Sequence, residues 1–231
     1  MSSATLRVAE TFGPTFQGEG PSAGQHAAFV RLSGCPVQCS WCDEPQTWDW
    51  SRFDRRSESR LMTAEELYAW ADGIPASLVV LTGGEPLVQQ RGLIELAAAL
   101  TDGGRRVEIE TSGTIAPVPA LTAAVTAFNV SPKLASSRVP AGRRIRPEAL
   151  AAFAASGKAV FKFVACTLDD LTEVAGLEAR FGLAPVWIMP EGVTADRVLA
   201  GMRDLADEVL ERGWHLTGRM HVLLWDGARG R

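Results

Sequence analysis

No apolar run in the sequence approaches the roughly 18 to 20 residues that a membrane span requires, and the start, Met1-Ser-Ser-Ala-Thr-Leu-Arg7, lacks the apolar core of a secretory signal. Both absences predict a protein of the cytoplasm with no membrane partner. A charge surplus suited to a phosphate backbone is missing too: the formal net charge is -4, which argues against nucleic acid as a direct partner and for a small molecule. Cysteine is scarce, with four in 231 residues, and three of those fall within eight positions. Thiols clustered in this way make no disulfide framework; they fit a metal site in a reducing compartment. The fourth, Cys166, stands alone and is expected to be buried and inert. No internal repeat breaks the chain into units.

What is present suits a globular enzyme. Hydrophobic residues make up 46% of the chain, enough for a sizeable core, and one domain over residues 1–231 is expected. Leu6 to Phe12 alternates weakly as a strand, after which Gly13 to Pro21 breaks the pattern with a glycine-rich loop carrying Gln17, Gly18 and Glu19. Ala27 to Leu32 reads as a buried strand in which the charged Arg31 demands a partner. Trp48 to Arg56 has no clear period. Thr63-Ala-Glu-Glu66 is a capping box that opens a helix to about Asp72. Strand signals recur at Ser77 to Thr82, Arg106 to Gly113, Phe128 to Lys133, Ala159 to Val164, Pro185 to Met189 and Arg219 to Trp225. Helical periods stand between them at about Gln89 to Leu100, Pro147 to Ser156, Leu168 to Phe181 and, capped by Thr194, through about Arg212. Alternation of this kind predicts an α/β fold with parallel strands. Since the chain is shorter than the roughly 250 residues of a complete eight-fold barrel, a partial (β/α)6 TIM-like barrel is expected. The basic run from Arg138 to Arg146 reads as a solvated loop, with docking of an electron donor as the alternative.

The chemistry centres on Cys35-Pro-Val-Gln-Cys39-Ser-Trp-Cys42. Three thiolates spaced C-x3-C-x2-C supply three of the four ligands of a cubane cluster and leave one iron open to a small molecule. Zinc is the alternative, with His26 nearby, although structural zinc sites usually pair two C-x2-C knuckles and no second knuckle exists here.

With Trp41 just before its third cysteine, this loop resembles the radical S-adenosylmethionine superfamily. Thr82-Gly83-Gly84-Glu85-Pro86 is similar to the Gly-Gly-Glu-Pro element by which that superfamily binds the methionine amino group. The finer resemblance, to the QueE family of 7-carboxy-7-deazaguanine synthases in the queuosine pathway, is carried by Glu10 to Pro21, Phe29 to Leu32, Cys42-Asp43, Thr47-Trp48, Thr82 to Pro86, Glu110 to Gly113, Ser131 to Lys133, Lys162-Phe163, Pro190 to Gly192 and Arg219 to His221. It implies a radical SAM fold and a 4Fe-4S cluster on Cys35, Cys39 and Cys42. The implied reaction is a lyase step that contracts the ring of 6-carboxy-5,6,7,8-tetrahydropterin, with loss of ammonia. Recycled S-adenosylmethionine and Mg2+ are the other implied cofactors, flavodoxin or ferredoxin an implied electron donor, and a homodimer the implied assembly. Residue by residue, the resemblance puts Gln17, Gly18, Glu19, Arg31, Thr82 and His221 on the pterin. Trp41, Cys42, Asp43, Gly84, Glu110, Ser112, Ser131, Pro132, Lys133, Met189, Pro190, Glu191 and Gly192 fall on S-adenosylmethionine. Where the family commonly has the threonine of Cys-Asp-Thr on Mg2+, this chain has Glu44, a hard oxygen ligand able to take that role. Two rivals remain at this stage: an activase that forms a glycyl radical on a protein partner, which predicts no Gln17/Glu19/Arg31 pocket, and a zinc-stabilised binding module without turnover.

Overall fold

In the computed structural model, which describes residues 4–230, the first strand outruns its sequence signal. Strand β1 (Thr5–Phe16) lies antiparallel to β2 (His26–Leu32), with register shifts after Val8 and Phe12. The second shift absorbs Gly13-Pro14, so the pair that breaks the sequence pattern bends the strand without ending it. Beyond the cysteine loop comes β3 (Arg60–Thr63), which the sequence left unplaced and which pairs antiparallel with the start of β1. The chain continues through α1 (Ala64–Asp72), β4 (Leu78–Gly83), α2 (Gln90–Asp102), β5 (Arg106–Thr111), α3 (Pro119–Ala124), β6 (Ala127–Val130), α4 (Ala141–Arg144) and α5 (Pro147–Ala155). It closes with β7 (Ala159–Ala165), α6 (Leu168–Phe181), β8 (Val186–Pro190), α7 (Ala195–Glu211), β9 (His215–Leu216) and α8 (Met220–Trp225).

These strands form one sheet in the order β3-β1-β2-β4-β5-β6-β7-β8-β9. From β2 to β9 every pairing is parallel, and β3 and β9 are left as edges, so the sheet stays open as a partial barrel. One expectation fails. Arg219 to Trp225 is no strand: the two-residue β9 ends the sheet, and Met220–Trp225 forms helix α8, with the amides of Val222 and Leu223 donating to the Arg219 carbonyl at 3.0 Å each. An apolar run this short fits either period, so pattern alone does not separate helix from strand.

Alternation along the strands sorts the side chains. Outward residues such as Leu81, Ile109, Phe128, Phe161 and Ile188 are fully buried against helix residues including Leu96, Leu150, Phe153 and Leu171, each worth about 1.5–3 kcal/mol of transfer free energy. Inward residues are of two kinds. Ala27, Leu78 and Val80 pack with Phe29 in a small apolar cluster, whereas Glu108, Asn129 and Lys162 are polar yet almost wholly buried. Buried polar groups need partners, and Glu108 has them: it accepts from Ser22 Oγ at 2.6 Å and from Asn129 Nδ2 at 3.0 Å. That shelf fastens the Gly20–Ser22 turn inside the barrel and brings Gln17 and Glu19 up beneath the strand ends.

Candidate active site

Parallel strands deliver their C-terminal ends to one side of the sheet, where barrel folds place chemistry. There the cysteine loop after β2 meets the Gly-Gly turn after β4. The Gly84 amide donates to Leu32 O at 3.0 Å and the Glu85 amide to Gly34 O at 2.8 Å. No side chain fits between the two loops, since a Cβ on Gly84 would lie 2.4 Å from Gly34 O. Glu85 points down and is fully buried, accepting from Thr111 Oγ1 and the Ser112 amide at 2.8 Å each and from Leu87 N at 3.0 Å. Backbone bonds thereby tie the turn after β4 to the end of β2, and the Glu85 carboxylate ties it to the end of β5.

Cys35, Cys39 and Cys42 line one wall of a cavity of about 570 Å³, packed with Val37 and Val139. Burial raises all three thiols, Cys39 to about 11. Trp48 Nε1 donates to Cys42 Sγ at 3.3 Å, which favours the thiolate there. Three soft sulfurs whose charge is disfavoured without a cation suit an iron group. They are not gathered in advance: among the described residues no three ligand side chains already sit at metal-holding distances.

The facing wall is charged. Glu19 takes Lys162 Nζ at 2.6 Å and Arg219 Nε at 3.1 Å, with His221 Nε2 at 4.0 Å. Lys162 also reaches Glu110 at 2.9 Å, and Glu110 accepts from Gln17 Nε2 at 3.1 Å. Burial opposes charge on Glu19, yet Lys162 and Arg219 outweigh it and hold that carboxyl below its ordinary value. Glu110 shares the same lysine without the arginine, and burial pushes it up. Lys162 is raised despite its burial by the two carboxylates, and desolvation lowers His221 toward the neutral imidazole. Gly18 lies flat on that ring, where a Cβ would come 2.3 Å from Nδ1.

Arg31 finds the partners its burial demands in Glu10 at 3.3 Å and Glu44 at 3.0 Å, with its guanidinium 5.5 Å above the Phe12 ring. Glu44 also accepts from Gln46, and burial raises its carboxyl while Arg31 opposes the rise. Asp43 turns the other way and pairs with Arg219, whose Nη1 donates to Gly192 O at 2.8 Å.

Of the residues singled out in the sequence, Thr82, Trp41, Gly84, Ser112, Ser131, Lys133, Met189 and Glu191 also line the cavity. Pro132, Pro190 and Gly192 stand outside that lining. Lys133 donates to Ser131 Oγ at 2.9 Å and lies 5.7 Å over the Trp41 ring. Trp41 Nε1 is buried with no partner among the described residues, an unfilled donor beside the third cysteine, at a residue that the resemblance implies for S-adenosylmethionine. Lys162 and Arg219 are the residues whose roles the sequence left unread. A signal existed for Lys162, one cation in the apolar run Ala159 to Val164, the same signal that marked Arg31. Cys166, expected to be buried, is exposed. The run from Arg138 to Arg146 is not simply solvated: Arg144 is buried, donating to Val139 O and Lys133 O and paired with Glu173, and Arg143 donates to the carbonyls of Pro36 and Val37 in the cysteine loop.

Residues 29–223 match the family model described as the radical SAM superfamily. A curated relative from Pyrobaculum aerophilum, named 7-carboxy-7-deazaguanine synthase, is 40% identical over 230 residues, spanning 98% of this chain and 97% of that one. The chain belongs to the 7-carboxy-7-deazaguanine synthase family of radical SAM enzymes. A second family member of that name, from Hyperthermus butylicus, is 34% identical over 226 residues, covering 95% of this chain and 92% of its own. The crystal structure of QueE from Escherichia coli superposes with a TM-score of 0.72 at 28% identity, covering 94% of this chain and 95% of that one. Membership in a radical SAM family implies a 4Fe-4S cluster and S-adenosylmethionine, and the sulfur wall and the unfilled Trp41 donor fit both. The zinc alternative finds no imidazole at the cysteines: His26 opens β2, at the opposite end of that strand from the loop. No described helix is long and apolar enough to cross a membrane.

Proposed function

We propose that this chain converts 6-carboxy-5,6,7,8-tetrahydropterin to 7-carboxy-7-deazaguanine with loss of ammonia, as a Mg2+-dependent carbon–nitrogen lyase. The observation that carries this reading is the charged wall of Gln17, Glu19, Lys162, Glu110 and Arg219, which faces the three cysteines across one cavity. A carboxylate and an amide side by side suit the donor edge of a pterin, and Lys162 keeps Glu19 ionised for that task. Arg31 meets the substrate carboxylate as a charge-assisted pair, which requires Glu44 to give up its place on the guanidinium. Cys35, Cys39 and Cys42 hold the cluster; Trp41, Ser112, Ser131, Lys133, Met189 and Glu191 hold S-adenosylmethionine. When bound, these groups supply the one-electron chemistry that removes a hydrogen atom from substrate C6. The protein's part is to hold C6 toward that chemistry and to exclude water from it. Glu44, once released from Arg31, supplies a hard carboxylate oxygen for Mg2+. His221, held neutral by burial, lies against Gly18 beside Glu19 and closes the pterin side.

An activase of a glycyl-radical protein needs no such wall, and the pocket of Gln17, Glu19 and Arg31 favours the small substrate. We further propose a single catalytic domain over residues 1–231, a cytoplasmic homodimer and a flavodoxin or ferredoxin as reductant. The deciding experiment is anaerobic reconstitution with iron and sulfide, reduction, and incubation with the carboxytetrahydropterin. A deazaguanine product is expected. Cleavage of S-adenosylmethionine without that product overturns the substrate, and turnover unchanged when Mg2+ is added back to chelator-treated enzyme overturns the metal.

A further inference from the structure

Behind the cysteine loop the charge of the chain reverses. Between Ser131 and Pro147 stand Lys133, Arg138, Arg143, Arg144 and Arg146 with no acidic residue among them, in a chain whose net charge is -4. This segment is bolted to the cluster loop by both sides. Arg143 reaches the Pro36 and Val37 carbonyls and, at 3.4 Å, Gln38 Oε1. From the loop, Ser40 donates through its amide and its hydroxyl to Ser137 O, each at 3.1 Å. Val139 packs directly on Val37 and Cys39.

Arg143 and Arg144 are thus spent on holding the segment, while Arg138 and Arg146 are not. Both are exposed, and neither has an ion-pair partner among the described residues. Arg138 stands between Ser137, whose carbonyl takes Ser40, and Val139, which packs on Cys39, and the cover of that loop is thin. Cys39 is 8% exposed, and its loop neighbours Pro36, Gln38 and Ser40 are uncharged, exposed and outside the lining of the substrate cavity. A protein approaching here therefore comes close to the metal site without entering the chamber that must stay dry.

We propose that Arg138 and Arg146, flanking Arg143, form the docking surface for a small acidic one-electron carrier protein. The proposal rests on the radical SAM reading, whose cluster must be reduced from outside. The carrier loses one electron and the cluster gains it, with no proton or atom transferred. Complementary charge raises the encounter rate and fixes orientation, and salt screens it.

The test uses reconstituted full-length protein, reduced flavodoxin as the acidic probe, and the double variant R138E/R146E. Flavodoxin affinity, measured by titration at low and at physiological ionic strength, is expected to fall by at least about tenfold in the variant and to lose its weakening by salt. The rate of cluster reduction by flavodoxin hydroquinone falls in parallel, while iron content and the rate with dithionite stay at wild-type values. Unchanged flavodoxin affinity overturns the proposal. So does a variant that loses iron or slows equally with dithionite, because the arginines would then be supporting the loop. Neither readout needs the pterin, so failure here is distinct from failure of the substrate assignment.

Discussion

Two carboxylates sharing one lysine set the electrostatics of the site. Glu19 and Glu110 both touch Lys162, but only Glu19 has Arg219 as well, so a proton entering the cluster goes to Glu110. Replacing the lysine leaves two carboxylates buried without their cation. Lys162→Met is expected to cost about 3–5 kcal/mol at neutral pH, read from denaturant unfolding; a loss below about 1 kcal/mol would mean that water reaches the pair. The pH dependence follows from the direction of each shift. The folded pKa of Glu19 lies below the ordinary 4.5, so its contribution is complete above that value and is lost as pH falls through the folded one. Glu110 is raised, and acidification through its folded value favours the native state. Glu19→Gln removes the first contribution and, by taking away a charge that helps raise Glu110, weakens the second; below 4.5 the loss at Glu19 is the one still titrating, so the stability gap between wild type and this variant should narrow on acidification there. A gap constant down to pH 3 would contradict the assignment. Buried His221 adds to the acid loss, since its lowered value makes the unfolded chain take up a proton first as pH falls below 6.5.

Among the elements, those whose signals were local could be read from the chain and those made by long-range contact could not. Thr63 and Glu66 cap α1 reciprocally, at 3.1 and 2.7 Å, and α6 spans Leu168–Phe181 as its periodicity predicts. Short β3 had no pattern of its own; it exists because the start of β1 offers it a free edge. Likewise α8 is fixed by tertiary bonds, the Met220 amide donating to Gly18 O at 2.9 Å, which no periodicity encodes. Motif glycines and cysteines were visible in the sequence, but the pairing of Glu19 with Arg219 spans 200 positions and was not. The close approach of the two cofactor loops yields a prediction at this scale. Gly84→Ala puts a methyl group where Gly34 O and Cys35 Cβ already stand, at 2.4 and 2.9 Å, and backbone cannot yield as a side chain does. The cysteine loop must shift, so iron bound per chain after reconstitution should drop severalfold while the far-ultraviolet circular dichroism is retained. Full iron loading would show that the loops separate easily.

Across the whole molecule, stability and chemistry occupy opposite faces of the same strands. The outer face carries the large core against the helices, and the inner face carries the Glu108 shelf and the charged wall above it. Because successive side chains on a strand point to opposite faces, neighbours on β5 should have separable effects. Ile109 is fully buried in the outer core, whereas Glu110, the next residue, lines the cavity and bonds Gln17 and Lys162. Ile109→Val should lower unfolding free energy by about 0.5–1.5 kcal/mol and leave kcat and KM of the folded enzyme at wild-type values. Glu110→Gln keeps the shape but removes a charge from Lys162 and leaves one acceptor oxygen where Gln17 and Lys162 each had their own, so KM for the substrate should rise about tenfold or more, the loss of one charged hydrogen bond. The contrast decides the architecture as well as the residues. If Ile109→Val disturbed KM as much as Glu110→Gln does, the open sheet would be too pliant to isolate its two faces, and the cavity would depend on the packing of the helices outside it.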